Sequence, residues 1–367
     1  MSYLISVTDN RSVKINTSPC LLKYLGDELN KTKSKIDNHI NDWDRAKKQI
    51  HDYEYVYYSS YRKKNISGFT PVSRSYFKFR EIYYEYNIDI DKNSKICNLA
   101  EAPGGFIQSI IHLLPKKWVV DIYANSLLSG DKGIPIWNNT IKNYNMNYVY
   151  GKQGDGDLSN FLNLISMIHT IGKSSCNLVT GDGGFDYSSD YSKQEFNSLR
   201  LIYSEIFMAL NIQKKGGTFI CKIFDTFLTE TIDLLYLLNL SYEKVYLHKP
   251  KMSRSSNSEK YIICLNFKGY NKDYVNLLCH SFVSLKLDLI RNSFFYDKII
   301  KYIIEYTLQQ IKSINKGIYM IKNETINNYP NHKQIKLCIE WCKKYYIRIN
   351  DKCMYLNNSY ITQSVYC

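Results

Sequence analysis

From about residue 94 to residue 268 the chain alternates short apolar runs with amphipathic ones, and no other pattern in it restricts the fold so tightly. KICNLA (95–100), WVVDIYA (118–124), NYVYG (147–151), CNLVTGD (176–182), GTFICKIF (217–224), YEKVYLHKP (242–250) and KYIICLNFK (260–268) read as seven strands. Between them FIQSIIHLL (106–114), FLNLISMIHTI (161–171), FNSLRLIYSEIFMALNIQ (196–213) and LTETIDLLYLLNL (228–240) read as helices, the first stopped by Pro115. Strand–helix alternation at this spacing predicts an α/β fold: an open, mostly parallel seven-stranded sheet covered on both faces. The last two strands are joined by the loop PKMSRSSNSE, too short for a parallel crossover, so the final strand is predicted antiparallel.

Outside this region the pattern changes. Residues 27–50 predict one amphipathic helix with Ile36, Ile40, Trp43 and Ile50 on one face. SRSYFKFREIYYEY (73–86) predicts another, with Ser73 as its N-cap. Residues 270–367 read as helical and basic. We therefore expect a helical N-terminal extension over 1–92, a sheet domain over 93–269 and a separate C-terminal helical module over 270–367.

Lys and Arg number 48 against 34 acidic residues, a net charge of +14, which favours an anionic partner, most simply nucleic acid. An excess of solubilising lysine would give the same number without a partner. The ten Cys include no CxxC pair, and Cys97, Cys221 and Cys264 sit inside apolar strands as small hydrophobes. The N-terminus does not read as a secretory signal, and no run approaches the roughly 18 apolar residues of a membrane span. The expectation is a soluble, intracellular, reduced protein with no membrane association. Cys338 and Cys342 stand one helical turn apart near His332 and Cys353; we read them as the inner face of a helix rather than zinc ligands, and expect no metal. Tyr is abundant at 34, so a single Tyr beside a motif carries little weight.

In a doubly wound sheet, ligands bind beyond the C-terminal strand ends. The first such end is NLAEAPGGF (98–106), where two glycines let backbone approach a ligand just before a helix. It is neither GxGxxG nor a Walker loop, which disfavours a dinucleotide or nucleoside triphosphate and suits S-adenosylmethionine. As a turn alone it is also an ordinary strand-to-helix connection. In GDGDL (154–158), Asp157 is placed to accept from an adenine amino group or to cap the helix that follows.

Four polar residues stand out: Lys78, Asp182, Lys222 and Glu259. Lys222 interrupts a strand that should be buried on both faces, which is unfavourable unless the ammonium is paired. Setting the fourth and fifth strands side by side, with the antiparallel seventh next, gathers Asp182, Lys222 and Glu259; composition does not place Lys78. Such a cluster suits deprotonation of a ribose hydroxyl. A lysine beside a second lysine has a depressed pKa and serves as base, the second ammonium stabilises the oxyanion, and the carboxylates orient both.

SRSYFKFREI (73–82), NLAEAPGGF (98–106), GDGDL (154–158), NLVTGDGGFD (177–186), GGTFICKIFD (216–225) and SRSSNSEKYII (253–263), in this order, make the chain resemble the FtsJ-like RNA ribose 2′-O-methyltransferases, and within them the Adrift-type cap-specific group of eukaryotes and large DNA viruses. The resemblance implies a Rossmann-like fold that binds S-adenosyl-L-methionine. It implies a Lys-Asp-Lys-Glu tetrad at Lys78, Asp182, Lys222 and Glu259, with Lys222 as base. Donor contacts are implied at Ala102, Pro103, Gly104, Gly105, Phe106, Asp157 and Asp182. The substrate it implies is 5′-capped mRNA, with ribosomal RNA and a non-catalytic RNA-binding subunit as alternatives. It leaves room for a partner subunit of the capping machinery, and a viral origin would place the protein in the host cytoplasm or the virion. Two departures are visible: WVVDIYANSLLSG lacks an acidic residue at the strand end to meet the donor ribose, and Glu101 stands where a small residue is usual. Among the basic residues near these motifs, Arg74, Lys251 and Arg254 are the candidates for RNA contact, and Tyr76, Phe77 and the tyrosines at 53–61 for an aromatic platform.

Overall fold

A computed structural model describes residues 2–7, 19–131, 133–184, 193–289 and 292–356. Phe185 and Asp186, which end one of the quoted motifs, lie outside the described residues. The strands are β1 (Ser2–Leu4), β2 (Lys95–Leu99), β3 (Asp121–Ala124), β4 (Asn147–Tyr148), β5 (Cys176–Gly181), β6 (Gln213–Ile223), β7 (Tyr242–His248) and β8 (Lys260–Phe267). They form one sheet in the order β1-β7-β8-β6-β5-β2-β3-β4. β2 to β6 run parallel, and β8 lies antiparallel between β6 and β7, as the short loop requires. The eighth strand, unforeseen, is β1, which adds antiparallel to the β7 edge. At three residues it is too short to show a period.

The helices are α1 (Pro19–Ser34), α2 (Ile40–Gln49), α3 (Ser75–Glu85), α4 (Gly105–Leu113), α5 (Asn139–Lys142), α6 (Phe161–Ile171), α7 (Gln194–Ile212), α8 (Thr229–Ser241), α9 (Lys272–His280), α10 (Ser293–Lys322) and α11 (His332–Lys344). The single helix expected over 27–50 is in fact two, α1 and α2, with a 3₁₀ turn between them. The break turns Ile40 outward, 64% exposed, while Ile36 and Ile50 stay buried. Ser73 is not the N-cap of α3: Arg74 holds that position, and the Ser73 hydroxyl meets the Ser75 hydroxyl at 2.5 Å instead.

Alternating strand residues face two cores. Cys97, Leu99, Val179, Phe219 and Cys221 meet α6, α7, α8 and α9 on one face; Ile96, Leu178, Ile220 and Ile263 meet α3 and α4 on the other. α10 shares the first core through Phe295, Ile299, Tyr302 and Ile303, and packs along α1 and α2. In α11, Cys338 and Cys342 are buried with Trp341 against Tyr55 and Phe77. No helix among the described residues is long and apolar enough to cross a membrane.

One close approach fixes the helix that carries Lys78. α3 meets the start of α4 at Gly105, where a Cβ would run into the hydroxyls of Ser73 and Ser75, and the Phe79 and Phe106 rings pack at 5.0 Å. Gly105→Ala is therefore expected to push α3 off α4, lowering stability by roughly 1–3 kcal/mol as an overpacked core does, read from the urea midpoint at unchanged m-value.

Candidate active site

The donor-side loop is held by two side chains that the sequence did not single out as useful. Fully buried Asn125, just beyond β3, accepts from Ala100 N (3.3 Å) and donates to Val149 O (3.0 Å) and Gly156 O (3.2 Å). It ties together the loops after β2, β3 and β4. Glu101, 2% exposed, turns back over the start of α4, and its Oε1 accepts from Phe106 N (2.7 Å) and Ile107 N (3.2 Å). Burial, and then the Asp182 carboxylate, push the Glu101 carboxyl well above its ordinary range. This explains the departure at Glu101. Helix N-termini usually attract phosphate, and here a side chain already takes the first amide groups. The turn therefore fits a ligand without phosphate.

Gly104 has φ +106, and a Cβ there would sit 2.7 Å from the Ile141 side chain. Ala102, Pro103 and Asp157 line a cavity of about 800 Å³ next to this turn. Gly104, Gly105 and Phe106 shape it from behind: the Phe106 ring is fully buried between Phe79 and Tyr261. The Asp157 carboxylate accepts from Ser159 N and Ser159 Oγ, both at 2.8 Å, and the cap of α6 is Asn160, not Asp157.

The same cavity is lined by Lys78, Asp182, Lys222 and Glu259. Gly181 of β5 pairs with Cys221 of β6, and Lys222 pairs with Tyr261 of β8, so Asp182, Lys222 and Glu259 emerge side by side at one sheet edge. α3 supplies Lys78. Lys222 Nζ donates to the Asp182 carbonyl at 2.6 Å and lies 3.3 Å from its carboxylate. Lys78 Nζ lies 2.7 and 2.8 Å from the two Glu259 oxygens. All four side chains are 12–13% exposed. Tyr261 of β8, one position past Lys260 in an apolar run with no motif signal of its own, donates its hydroxyl to Asp182 Oδ1 at 2.8 Å.

Here the expected depression of Lys222 is overturned. Burial alone would lower its pKa, but the carboxylates of Asp182 and Glu259 outweigh burial and hold it above the ordinary lysine value. The two lysines do not face each other unpaired, because each has its own carboxylate. Burial would raise Glu259, and the Lys78 and Lys222 ammoniums outweigh that, holding it down at about 2.

Arg74 and Arg254 line the cavity, but much of each guanidinium is already engaged. Arg254 grips fully buried Glu54 through Nε (2.9 Å) and Nη2 (2.6 Å). Arg74 donates to Tyr57 O (2.5 Å) and Met252 O (3.1 Å) and meets Glu54 at 3.4 Å. The Lys251 ammonium lies 5.5 Å from the Tyr53 ring. Tyr76 and Phe77 are buried in an aromatic cluster and do not present a platform.

Residues 71–267 match the model of the FtsJ-like methyltransferase family, and the chain belongs to that family. Among curated proteins it is 30% identical over 277 residues to a cap-specific mRNA (nucleoside-2′-O-)-methyltransferase 2 of Drosophila melanogaster, covering 70% of this chain and 38% of that protein. It is 30% identical over 222 residues to a methyltransferase 1 of the same description from Caenorhabditis elegans, covering 58% and 24%. The mouse methyltransferase 1 is 28% identical over 285 residues, covering 71% and 33%. The chain thus spans well under half the length of these relatives.

The depressed Glu259 sets a pH dependence. A carboxyl at about 2 when folded, against an ordinary 4.5, contributes stability that is complete above pH 4.5 and is lost as pH falls towards 2. Glu259→Gln is expected to lower stability at pH 7 and to flatten that acid limb, measured by urea unfolding across the same range.

Proposed function

We propose that the chain is an S-adenosylmethionine-dependent ribose 2′-O-methyltransferase acting on capped mRNA. The observation that carries this reading is the sharing of one cavity by a phosphate-free donor loop and two buried lysine–carboxylate pairs. The cap assignment is supported by the names of the relatives, each described as cap-specific.

The donor supplies an electrophilic methyl group on a sulfonium. The turn at Ala102 and Pro103, with Asp157, would hold it at the loop side of the cavity. The chain's own work is on the ribose hydroxyl. A 2′-hydroxyl attacks well only as its proton leaves, so negative charge grows on the oxygen in the transition state. Lys222 is the group placed to meet that charge. Asp182 fixes its ammonium through carbonyl and carboxylate, and Tyr261 fixes Asp182. Lys78, held by Glu259, brings a second cation to the same wall. Because Lys222 rests protonated, its role is to lower the hydroxyl pKa and stabilise the alkoxide, with the proton lost to solvent. This replaces the neutral-base role expected from the sequence.

Lys222→Ala is expected to reduce methyl transfer from labelled donor to capped RNA by roughly 10²–10³-fold or more, the scale of losing one oxyanion donor. Binding of donor, read by calorimetry, should change little. In a chain carrying Glu205→Gln and Lys249→Met, which removes two other buried groups pushed to about 8 and about 7, the rate should show no inflection near pH 7–8, the signature of a depressed-lysine base. Equal transfer to capped, uncapped and ribosomal RNA would remove the cap assignment and leave the chemistry.

A further inference from the structure

The family match begins at residue 71, yet part of the reaction cavity is built from residues before and after the matched segment: Lys33, Ile36, Trp43, Lys47 and Gln310. This wall is pinned to the core. Lys33 of α1 pairs with buried Asp225 at 2.8 Å, both side chains about one-tenth exposed. Asp225 also accepts from Ser258, the neighbour of Glu259, at 2.9 Å, and Gln310 of α10 donates to Ser256 O (3.2 Å) and Ser258 Oγ (3.1 Å). Trp43 of α2 is seated on α10, where a Cβ on Gly317 would lie 2.6 Å from its ring. One turn on, Lys47 shares the cavity-lining side of α2 and pairs with exposed Asp44 at 2.9 Å.

What this wall offers is a half-buried indole backed by Ile36, a lysine one turn away, and Arg254 across the same cavity. The carboxylates of the reaction centre, Asp182 and Glu259, are already matched by lysines. A flat aromatic face with a neighbouring cation is how proteins hold an unpaired nucleotide: the base stacks and the phosphate meets the charge. We propose that Trp43 and Lys47 form a nucleotide subsite, Trp43 stacking on the base next to the reacting ribose and Lys47 meeting its phosphate. The proposal rests on the RNA reading given above and adds a specificity element carried by the extension rather than by the family's sheet domain.

The test uses the full chain, labelled S-adenosylmethionine and a short capped oligoribonucleotide, with Trp43→Ala, Trp43→Phe and Lys47→Gln. Trp43→Ala should raise the KM for RNA roughly tenfold to a hundredfold, the scale of one lost base–aromatic stack, with donor KM unchanged. Trp43→Phe keeps a ring on Gly317 and should recover most of the loss. Lys47→Gln should reduce the salt slope of RNA binding by about 0.7, one phosphate contact on a single strand. An RNA KM within twofold of the unmodified chain for Trp43→Ala overturns the subsite, as does a parallel rise in donor KM, which would mark a packing role. In both cases the ribose-methylation reading survives, because the unmodified chain still transfers methyl. No transfer by the unmodified chain to any RNA overturns that reading and this proposal together.

Discussion

Two ammonium groups in a largely dry pocket need two carboxylates, and the topology around them follows from that need. An ion pair missing one member would leave an uncompensated buried charge. Asp182 follows the end of β5, Lys222 lies near the end of β6, and Glu259 precedes β8. These positions meet at one sheet edge because β8 runs antiparallel: its beginning lies where its parallel neighbours finish. Were β8 parallel, Glu259 would lie at the opposite edge, and Lys78 would have no partner. The short loop before β8 is therefore as much a part of the site as the charged residues are.

Two further carboxyls stand close by without upsetting this balance, because burial keeps them protonated. Glu205 on α7 is pushed up to about 8, mainly by burial, and touches Cys221 at 3.2 Å. It fits only because Gly181 and Gly183 carry no side chain: a Cβ on either would meet its carboxyl group, at 2.5 and 2.8 Å. Glu101 is raised for the same first reason. Neither carboxyl therefore adds a charge beside the two lysine–carboxylate pairs near neutral pH. Lys222 keeps its proton because the attraction of Asp182 and Glu259 outweighs the effect of burial.

The sheet was legible because apolar periodicity and loop length report directly on backbone pairing, and seven of its strands lie where the alternation placed them. The meeting of Asp182, Lys222 and Glu259 followed from strand order alone. Lys78 did not, since a helix docks by shape, and the docking signal lies in Gly105 and the two serines opposite it. The protonation state of Lys222 was misread for a related reason. Counting neighbouring cations along a chain ignores which carboxylate each one faces, and the lysines here are matched separately. Arg74 and Arg254 looked free in sequence, while Glu54, 20 residues before Arg74 in an unpatterned Tyr-rich stretch, is the residue that engages them.

The remaining shortfall has a physical cause with functional weight. Trp43, Lys47 and Gln310 belong to surface-type helices whose periodicity says only that one side is covered, not by what. Their position depends on Lys33 reaching Asp225 and on Gly317 admitting an indole, contacts separated by 192 and 274 positions along the chain. Lys78, Asp182, Lys222 and Glu259 sit at the sheet edge and on α3, within the segment that the family model matches, whereas this wall is built from helices outside it. Asp225 joins the two: through Ser258 it steadies the residue before Glu259, and through Lys33 it anchors the wall. One buried carboxylate thus holds both the α1 end of this wall and the loop that presents Glu259, so the wall and the sheet edge share a single support.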